Sequence, residues 1–217
     1  MTTRRTEALS RARIVEAAVE LLDADGESGL TFRALTQRLA TGPGAIYWHV
    51  ANKGELLDAA TETVIAQAVD HPQSGPRDGI RTVALGLFEA IDRHPWLATQ
   101  LALQLSRSPW GTVTPRIFES IGRQVRELGV PEAEWFTATS ALVHYILGAA
   151  GQNAANARSA APGADRAEFL DAVSKVWEAL DPDEYPFMRA VAAQMREHDD
   201  RAQFLAGIDL ILGRITR

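Results

Sequence analysis

The stretch that decides the fold is residues 30–58, which read LTFRALTQRLATGPGAIYWHVANKGELLD. Thr31 is a good N-cap for a short amphipathic helix over residues 32–39. Residues 41–44 combine threonine, glycine and proline as a tight turn does. A further short helix is predicted over residues 43–50. Two short helices joined by a glycine turn predict a helix-turn-helix, whose second helix enters the major groove of DNA.

A longer helix is predicted on each side of this pair. Residues 10–29 begin with a capping serine and end with two glycines, and their apolar stripe at helical spacing is Ile14, Ala17, Ala18, Leu21 and Leu22. A helix that connects to the rest of the chain is predicted over residues 54–69. We therefore expect a helix-turn-helix domain over residues 1–54 and a second domain over residues 55–217.

The remainder of the chain predicts helices throughout. Helix-length segments alternate with breaks at residues 71–76, 94–95, 108–111, 129–131, 161–163 and 181–186. No run of period-two alternation with β-branched residues is present, so we expect an all-α fold in which the second domain is a helical bundle. The chain has 217 residues and is 46% apolar, which suits one large domain or two small ones with a real core.

Several function classes are excluded by composition and motifs. The chain contains no cysteine, which rules out disulfides, thiol nucleophiles and iron–sulfur clusters. It contains neither a Gly-x-Ser-x-Gly elbow nor a phosphate-binding loop, and its five histidines do not pair at i, i+4 spacing. We expect no enzymatic activity, no cofactor and no metal. Without a signal peptide or a membrane-length apolar run, the expected location is the cytoplasm.

The distribution of charge favours DNA as a partner. The chain has a net charge of −6, but residues 31–53 contain Arg33, Arg38 and Lys53 and no acidic residue. Residues 1–13 are also basic. A local positive field suits phosphate binding, and an acidic body limits indiscriminate binding.

The residue types of the second short helix fit a groove-binding role. Its first turn, 42–45, has almost no side chain, so it can approach the floor of the groove. Tyr47, Trp48 and His49 follow and are suited to phosphate or thymine-methyl contacts. Lys53 can reach a phosphate, and Arg33 a guanine edge.

These residues strongly resemble the DNA-binding domain of TetR-family transcriptional regulators over roughly residues 10–60. The string Tyr-Trp-His-Val-x-Asn-Lys-x-x-Leu-Leu-Asp, at residues 47–58, resembles the tetracycline-repressor branch. The resemblance implies a bacterial repressor that binds an operator as a homodimer. It also implies phosphate contacts for Thr31, Tyr47, His49 and Lys53, and positions at or near base edges for Arg33, Pro43, Gly44, Ala45 and Trp48.

Two departures limit what the resemblance carries over. Ala40 and Thr41 stand where the family usually has a glycine and an aliphatic residue, so the operator sequence does not transfer. Val69 stands where tetracycline repressors have a drug-binding histidine. We therefore expect a small-molecule inducer other than tetracycline, apolar or aromatic in character.

In this family the larger domain holds the inducer and forms the dimer. Aromatic walls with a few polar groups are typical of ligand pockets. The candidate lining residues are Phe88, Leu101, Gln104, Leu105, Trp110, Phe118, Trp135, His144, Tyr145, Gln152 and Trp177. Helices that are apolar on more than one face suggest a dimer interface. The candidate interface residues are Trp135, Leu142, Ile146, Phe204, Ile208, Ile211 and Leu212.

Two alternatives remain open from the sequence. The doubly apolar helices also fit a monomer with a central buried helix. A helical protein-interaction or small-molecule-binding module without specific DNA binding is the second alternative, which failure to bind any DNA at low salt would favour.

Overall fold

The structure of this protein, a computed structural model, describes residues 9–70, 75–107, 111–159 and 165–216. Within these ranges the chain forms α-helices and short 3₁₀ segments and no strand, so the all-α prediction is confirmed. The α-helices are α1 (Arg11–Gly29), α2 (Phe32–Leu39), α3 (Pro43–Tyr47), α4 (Lys53–Val69), α5 (Pro76–Arg93), α6 (Trp96–Arg107), α7 (Val113–Glu127), α8 (Trp135–Ser159), α9 (Arg166–Glu178), α10 (Pro186–Val191) and α11 (Asp200–Ile215).

Helices α1, α2 and α3 form a small head. Ile14, Leu35 and Ile46 come one from each helix and are fully buried in a common core. Helix α1 is kinked at Gly26, whose φ of +66° lies in the left-handed region that favours glycine. The head therefore has the three-helix arrangement that the sequence predicts.

Helix α3 is shorter than the sequence predicts. It ends at Tyr47 rather than near residue 50, and the N–H groups of His49 and Val50 both bond to the carbonyl of Ile46. These two hydrogen bonds to one carbonyl end the helix early, because Asn52 is already extended and caps the next helix.

Helix α4 joins the head to the rest of the molecule. Its N-terminus is fixed by a reciprocal pair: Asn52 Oδ1 accepts from the Glu55 N–H at 2.9 Å, and the Glu55 carboxylate accepts from the Ala51 N–H at 2.8 Å. This arrangement resembles a capping box. The hydrogen bond from Ala51, followed by that from Arg11, holds the pKa of Glu55 below its usual value. The buried face of α4 packs on α1, α5 and α7.

The body is built from α5, α6, α7, α8 and α11, which share an apolar core with the head. Ile80, Leu87, Leu97 and Ile117 are among its fully buried side chains. The predicted breaks at residues 94–95 and 129–131 separate helices here, whereas those at 71–74, 108–110 and 161–163 lie outside the described residues. The domain division at residue 54 stays a prediction.

The segment 165–198, named the arm below, packs mainly on itself. It contains α9, α10 and the 3₁₀ segment Ala192–Glu197. The Ser174 hydroxyl donates to the Ala192 carbonyl at 2.7 Å, and Arg196 bridges Asp171 and Glu178 at 2.9 and 2.7 Å. Its structure is thus held largely by its own contacts.

Among the described residues, no helix is both long enough and apolar enough to cross a membrane.

Candidate DNA-binding surface and ligand groove

The surface of α3 and the turn after it is unusually exposed and aromatic. Trp48 is 90% exposed and Tyr47 is 52% exposed. The residue before them, Ile46, is fully buried and anchors α3 in the core. Pro43 and Gly44 are exposed at the start of the helix, and Ala45 and His49 are partly buried. An indole exposed to this extent contributes almost nothing to the core, so its place on the surface suits an external partner.

Two predicted contact residues are positioned by helix α2. The ring of Tyr47, the last residue of α3, stacks on Phe32 of α2 with centroids 4.5 Å apart, which fixes the position of the Tyr47 ring. The Thr31 Oγ1 accepts from the Ala34 N–H at 3.1 Å as the N-cap of α2. The hydroxyl proton of Thr31 is still available as a donor to a phosphate oxygen.

The cations of the acid-free stretch differ in their availability. The Arg33 side chain is exposed and makes no hydrogen bond or ion pair with any residue that the structure describes. Arg38 forms an ion pair with Glu20 from α1. Lys53 Nζ donates to the carbonyl of Glu27 at 2.6 Å, which leaves it two further donors. The folded head therefore presents a weaker positive field than the sequence suggests, because acidic and carbonyl oxygens from α1 reach the same surface.

A row of hydrogen bonds connects helix α6 to α1 of the head and to α4. Trp96 Nε1 donates to Asp23 Oδ1 at 2.7 Å, Gln100 Nε2 to Glu27 Oε2 at 3.1 Å, and Gln104 Nε2 to Asp58 Oδ1 at 2.9 Å. The three donors lie at i, i+4 and i+8 and so share one face of α6. We name this row the α6 ladder.

The sequence-based list missed this role for Trp96 and Gln100. Gln104 was predicted as a ligand contact, and in the structure its amide is bonded to Asp58. The signal was available in the spacing, since indole and amide donors recur every four residues along α6. His94 adds to the contact, with Nδ1 2.7 Å from the same Asp23 oxygen.

The larger cavity lies between the arm and the body and has a volume of about 710 Å³. Its walls come from α5, α8 and α11 on one side and from the arm on the other. We name it the arm groove. It is lined by Phe88, Tyr145, Ala149, Gln152, Asn153, Asn156, Trp177, Phe187, Met188, Val191, Gln194, Met195, His198, Asp200, Gln203 and Phe204.

The structure brings four of the predicted ligand contacts together in this groove: Phe88, Tyr145, Gln152 and Trp177. Leu101 is buried in the core, and Leu105 packs against it. Phe118 stacks on Phe136, the Trp135 N–H donates to the Val130 carbonyl, and His144 is exposed on α8. Trp110 lies outside the described residues.

Most of the predicted dimer residues are buried within the single chain. Leu142, Ile146, Phe204, Ile208 and Leu212 are buried in the chain's own core, and Trp135 and Ile211 are partly buried against it. The second apolar face of each helix is covered by the chain itself, through the contacts of α8 and α11 with each other and with α5. Side chains that a second copy can reach on the same helices include Phe136 and Leu210, which are largely exposed.

In the part of the chain that the structure describes, no three His, Asp or Glu side chains come together as a metal site. A second cavity of about 140 Å³ lies between α4 and α5, beside Arg93 and His94. It is about the size of a benzene-binding cavity, far smaller than the arm groove.

Two family models match this chain. The model described as bacterial regulatory proteins, tetR family, matches residues 14–60. The model described as tetracyclin repressor-like, C-terminal domain, matches residues 70–216. Together they cover nearly all of the head, the first half of α4, and the body and arm.

Curated relatives carry names of the same kind. A transcriptional regulator of the helix-turn-helix type from Saccharopolyspora erythraea is 34% identical over 142 residues, which are 64% of this chain and 59% of that protein. The repressor DrrR1 of Streptomyces coeruleorubidus is 31% identical over 192 residues, 85% of this chain and 69% of the repressor. The chain thus spans between about three fifths and two thirds of these two relatives.

Solved structures agree with the fold. A transcriptional regulator from Streptomyces coelicolor, described as a TetR, is 69% identical with a TM-score of 0.90, covering 96% of this chain and 98% of its own. The structure of BioQ with its natural double-stranded DNA operator is 30% identical with a TM-score of 0.59, covering 70% of this chain and 89% of that one.

Proposed function

Because the chain belongs to the TetR family of bacterial regulatory proteins, we propose that it is a transcriptional repressor that binds a near-palindromic operator and leaves it when a small molecule binds. The observation that carries the proposal is the exposed surface of α3 and the turn after it, with the exposed side chains of Tyr47 and Trp48, together with the exposed Arg33 side chain on α2, which pairs with no described residue. The relative named a repressor and the structure of BioQ on its operator support this reading.

The proposed DNA contacts divide by chemistry. Thr31, Tyr47, His49 and Lys53 bind phosphates and set the register of α3 in the groove. Arg33, Pro43, Gly44, Ala45 and Trp48 lie at or near base edges, and Arg33 supplies the forked donor that suits guanine.

We propose a homodimer, because one copy provides one recognition helix and a palindrome has two half-sites about 34 Å apart. The proposed interface uses the outward faces of α8 and α11, with Phe136 and Leu210 as apolar contacts. A Leu210→Glu variant is expected to be monomeric by light scattering. A dimer of unchanged stability would remove this face from the interface.

Release of DNA is proposed to pass through α6. The α6 ladder connects this helix to both α1 and α4, so a shift of α6 changes the position of the head. A ligand that binds one arrangement more tightly by a few kcal/mol changes operator occupancy by orders of magnitude. We propose no enzymatic step, and we propose that the protein acts in the cytoplasm, where a bacterial chromosome lies.

The testing experiment is capture of fragmented host DNA by the purified protein, followed by titration of the enriched fragment. Arg33→Ala is expected to weaken binding about tenfold or more and to relax preference at one base pair of each half-site. Lys175→Ala, which removes an exposed lysine of the arm, is the matched control and should leave affinity unchanged.

The salt dependence separates phosphate contacts from base contacts. Loss of one charged phosphate contact per half-site, as in Lys53→Ala, should reduce the slope of log K against log salt by about 1 for each contact. If no fragment is enriched and no DNA is bound at low salt, the protein is a binding module without DNA recognition and the proposal is wrong.

A further inference from the structure

The arm groove is chemically unlike a generic apolar cleft. One wall carries Phe88, Phe204 and Tyr145, in which the two phenylalanine rings lie 4.6 Å apart and Tyr145 stacks on Phe204 at 5.8 Å. The facing wall carries Trp177 and Phe187 from the arm. Aromatic side chains on both walls favour a ligand with extended flat faces.

The exposure of Phe187 indicates that no described part of the chain fills the groove. The side chain is 72% exposed although it lines the groove. Three neighbours on the arm, Met188, Val191 and Met195, are apolar too, and unbranched methionines adapt to ligands of different outline. The arm therefore presents apolar area that a bound molecule would cover.

Most of the uncharged polar groups of the groove are amides. The polar side-chain groups that make no hydrogen bond to any described residue are the amides of Gln152, Asn156, Gln194 and Gln203 and the indole N–H of Trp177. Each amide offers both a donor and an acceptor, so together they suit keto, hydroxyl or amide groups at the edge of a ligand.

The charged groups of the groove are already paired. His198 Nε2 lies 2.9 Å from Asp200, which also forms an ion pair with Arg166 at 2.5 Å. Burial raises the pKa of Tyr145, and its hydroxyl donates to the Phe204 carbonyl at 3.1 Å. Among the lining residues that the structure describes, no other side chain is ionisable, so a charged ligand would be desolvated without an unpaired counter-charge.

From these observations we propose that the arm groove is the inducer site, and that its ligand is a neutral, planar, multi-ring aromatic molecule with oxygen substituents. A volume of about 710 Å³ falls within the range that holds drug-sized ligands. Calling this ligand an inducer rests on the proposed function, whereas binding of the ligand to the groove does not depend on DNA.

The test uses equilibrium dialysis at pH 7 without DNA. The probes are 1,8-dihydroxyanthraquinone, which is neutral and carries four oxygens on three fused rings, and anthraquinone-2-sulfonate, which has the same rings and a fixed negative charge. The full chain is expected to bind one molecule of the neutral probe per copy, at least tenfold more tightly than the sulfonate.

Variants locate the site. Phe187→Ala should weaken binding of the neutral probe at least tenfold, because it removes one aromatic wall. Gln152→Leu, on the body wall, keeps the size of the side chain and removes an amide, and should weaken binding roughly three- to tenfold. Phe169→Ala is the control: this arm residue is 58% exposed and does not line the groove, so affinity should stay within twofold.

Each result has a defined meaning. No saturable binding, equal affinity for both probes, or binding unaffected by both groove variants would overturn the proposal. If the arm of a second copy closed the groove, no saturable binding would be measured. If the protein binds its operator but not the probe, the repressor function stands and this ligand site is rejected. If it binds the probe but no DNA, the ligand site stands and the repressor function is rejected.

Discussion

Gly207 is a position at which one added methyl group should disturb the body strongly. A Cβ built on Gly207 lies 1.9 Å from the Tyr145 hydroxyl oxygen and 2.2 Å from its Cζ. An ordinary contact begins near 3.4 Å, so the end of the tyrosine ring must withdraw by about 1.5 Å in a Gly207→Ala variant. The ring then loses its hydrogen bond to the Phe204 carbonyl and its place beside Phe204.

The magnitude follows from three contributions to the free energy of unfolding. Overpacking costs about 1–3 kcal/mol, and the lost hydrogen bond about 0.5–1.5 kcal/mol. Replacing glycine by alanine within a helix returns about 1 kcal/mol. The net loss is therefore about 2 kcal/mol, which lowers Tm by roughly 4–8 °C in a chain of this size.

The assay is thermal unfolding followed by circular dichroism, at one fixed protein concentration because dimerisation would shift Tm. Gly213→Ala on the same helix is the matched control: its built Cβ has no heavy atom within 4 Å, so the variant should gain about 0.5–1 kcal/mol. A double variant provides the sharper test. In a Tyr145→Ala background the new methyl group has room, and Gly207→Ala should become stabilising. The reasoning is refuted if Gly207→Ala raises Tm as Gly213→Ala does.

Three further predictions concern the head and its attachment. Trp48→Ala should weaken operator binding at least tenfold and leave Tm unchanged, since the indole is 90% exposed; equal loss for unrelated DNA would instead indicate a phosphate contact. Trp96→Phe keeps the ring and removes the donor to Asp23, so we expect a loss of about 1 kcal/mol by urea unfolding and a weaker effect of ligand on operator binding. The lowered pKa of Glu55 means that its carboxylate stabilises the fold at neutral pH and that this contribution is lost as pH falls below about 4.5. The Tm values of the wild type and of Glu55→Gln should therefore converge in acid. A difference in Tm that stays constant with pH would contradict the assignment.

The head could be predicted almost completely from the sequence because its determinants are local. Ser10 and Thr31 each cap a helix, and the structure places a helix start directly after each of them. The early end of α3 was missed, since it depends on paired bonds to one carbonyl and not on a breaker residue. Caps and periodicity therefore determine the helices here, and turn geometry determines where the shortest one ends.

The dimer residues illustrate what periodicity leaves undetermined. Apolar residues on more than one face of α8 and α11 require burial on more than one side, and the sequence does not state which neighbour supplies it. In the structure the chain's own helices cover Leu142 and Ile208, so their burial within one chain is explained without a second copy, and their place in a dimer interface stays a prediction. The arm groove was equally hidden, because its two walls lie far apart along the chain.

The α6 ladder was the hardest feature to anticipate, since Trp96 and Asp23 are 73 residues apart. Its energetics nevertheless suit regulation. A hydrogen bond to a charged group contributes about 1.5–3 kcal/mol, and partial exposure reduces that value. A coupling free energy of 1–3 kcal/mol already changes affinity between about five- and 150-fold. Loss of only one or two of the three bonds on a shift of α6 would therefore account for release of the operator, without unfolding either part of the protein. Because every donor in the ladder is neutral, this coupling should persist at high salt, under conditions that weaken the phosphate contacts of α3.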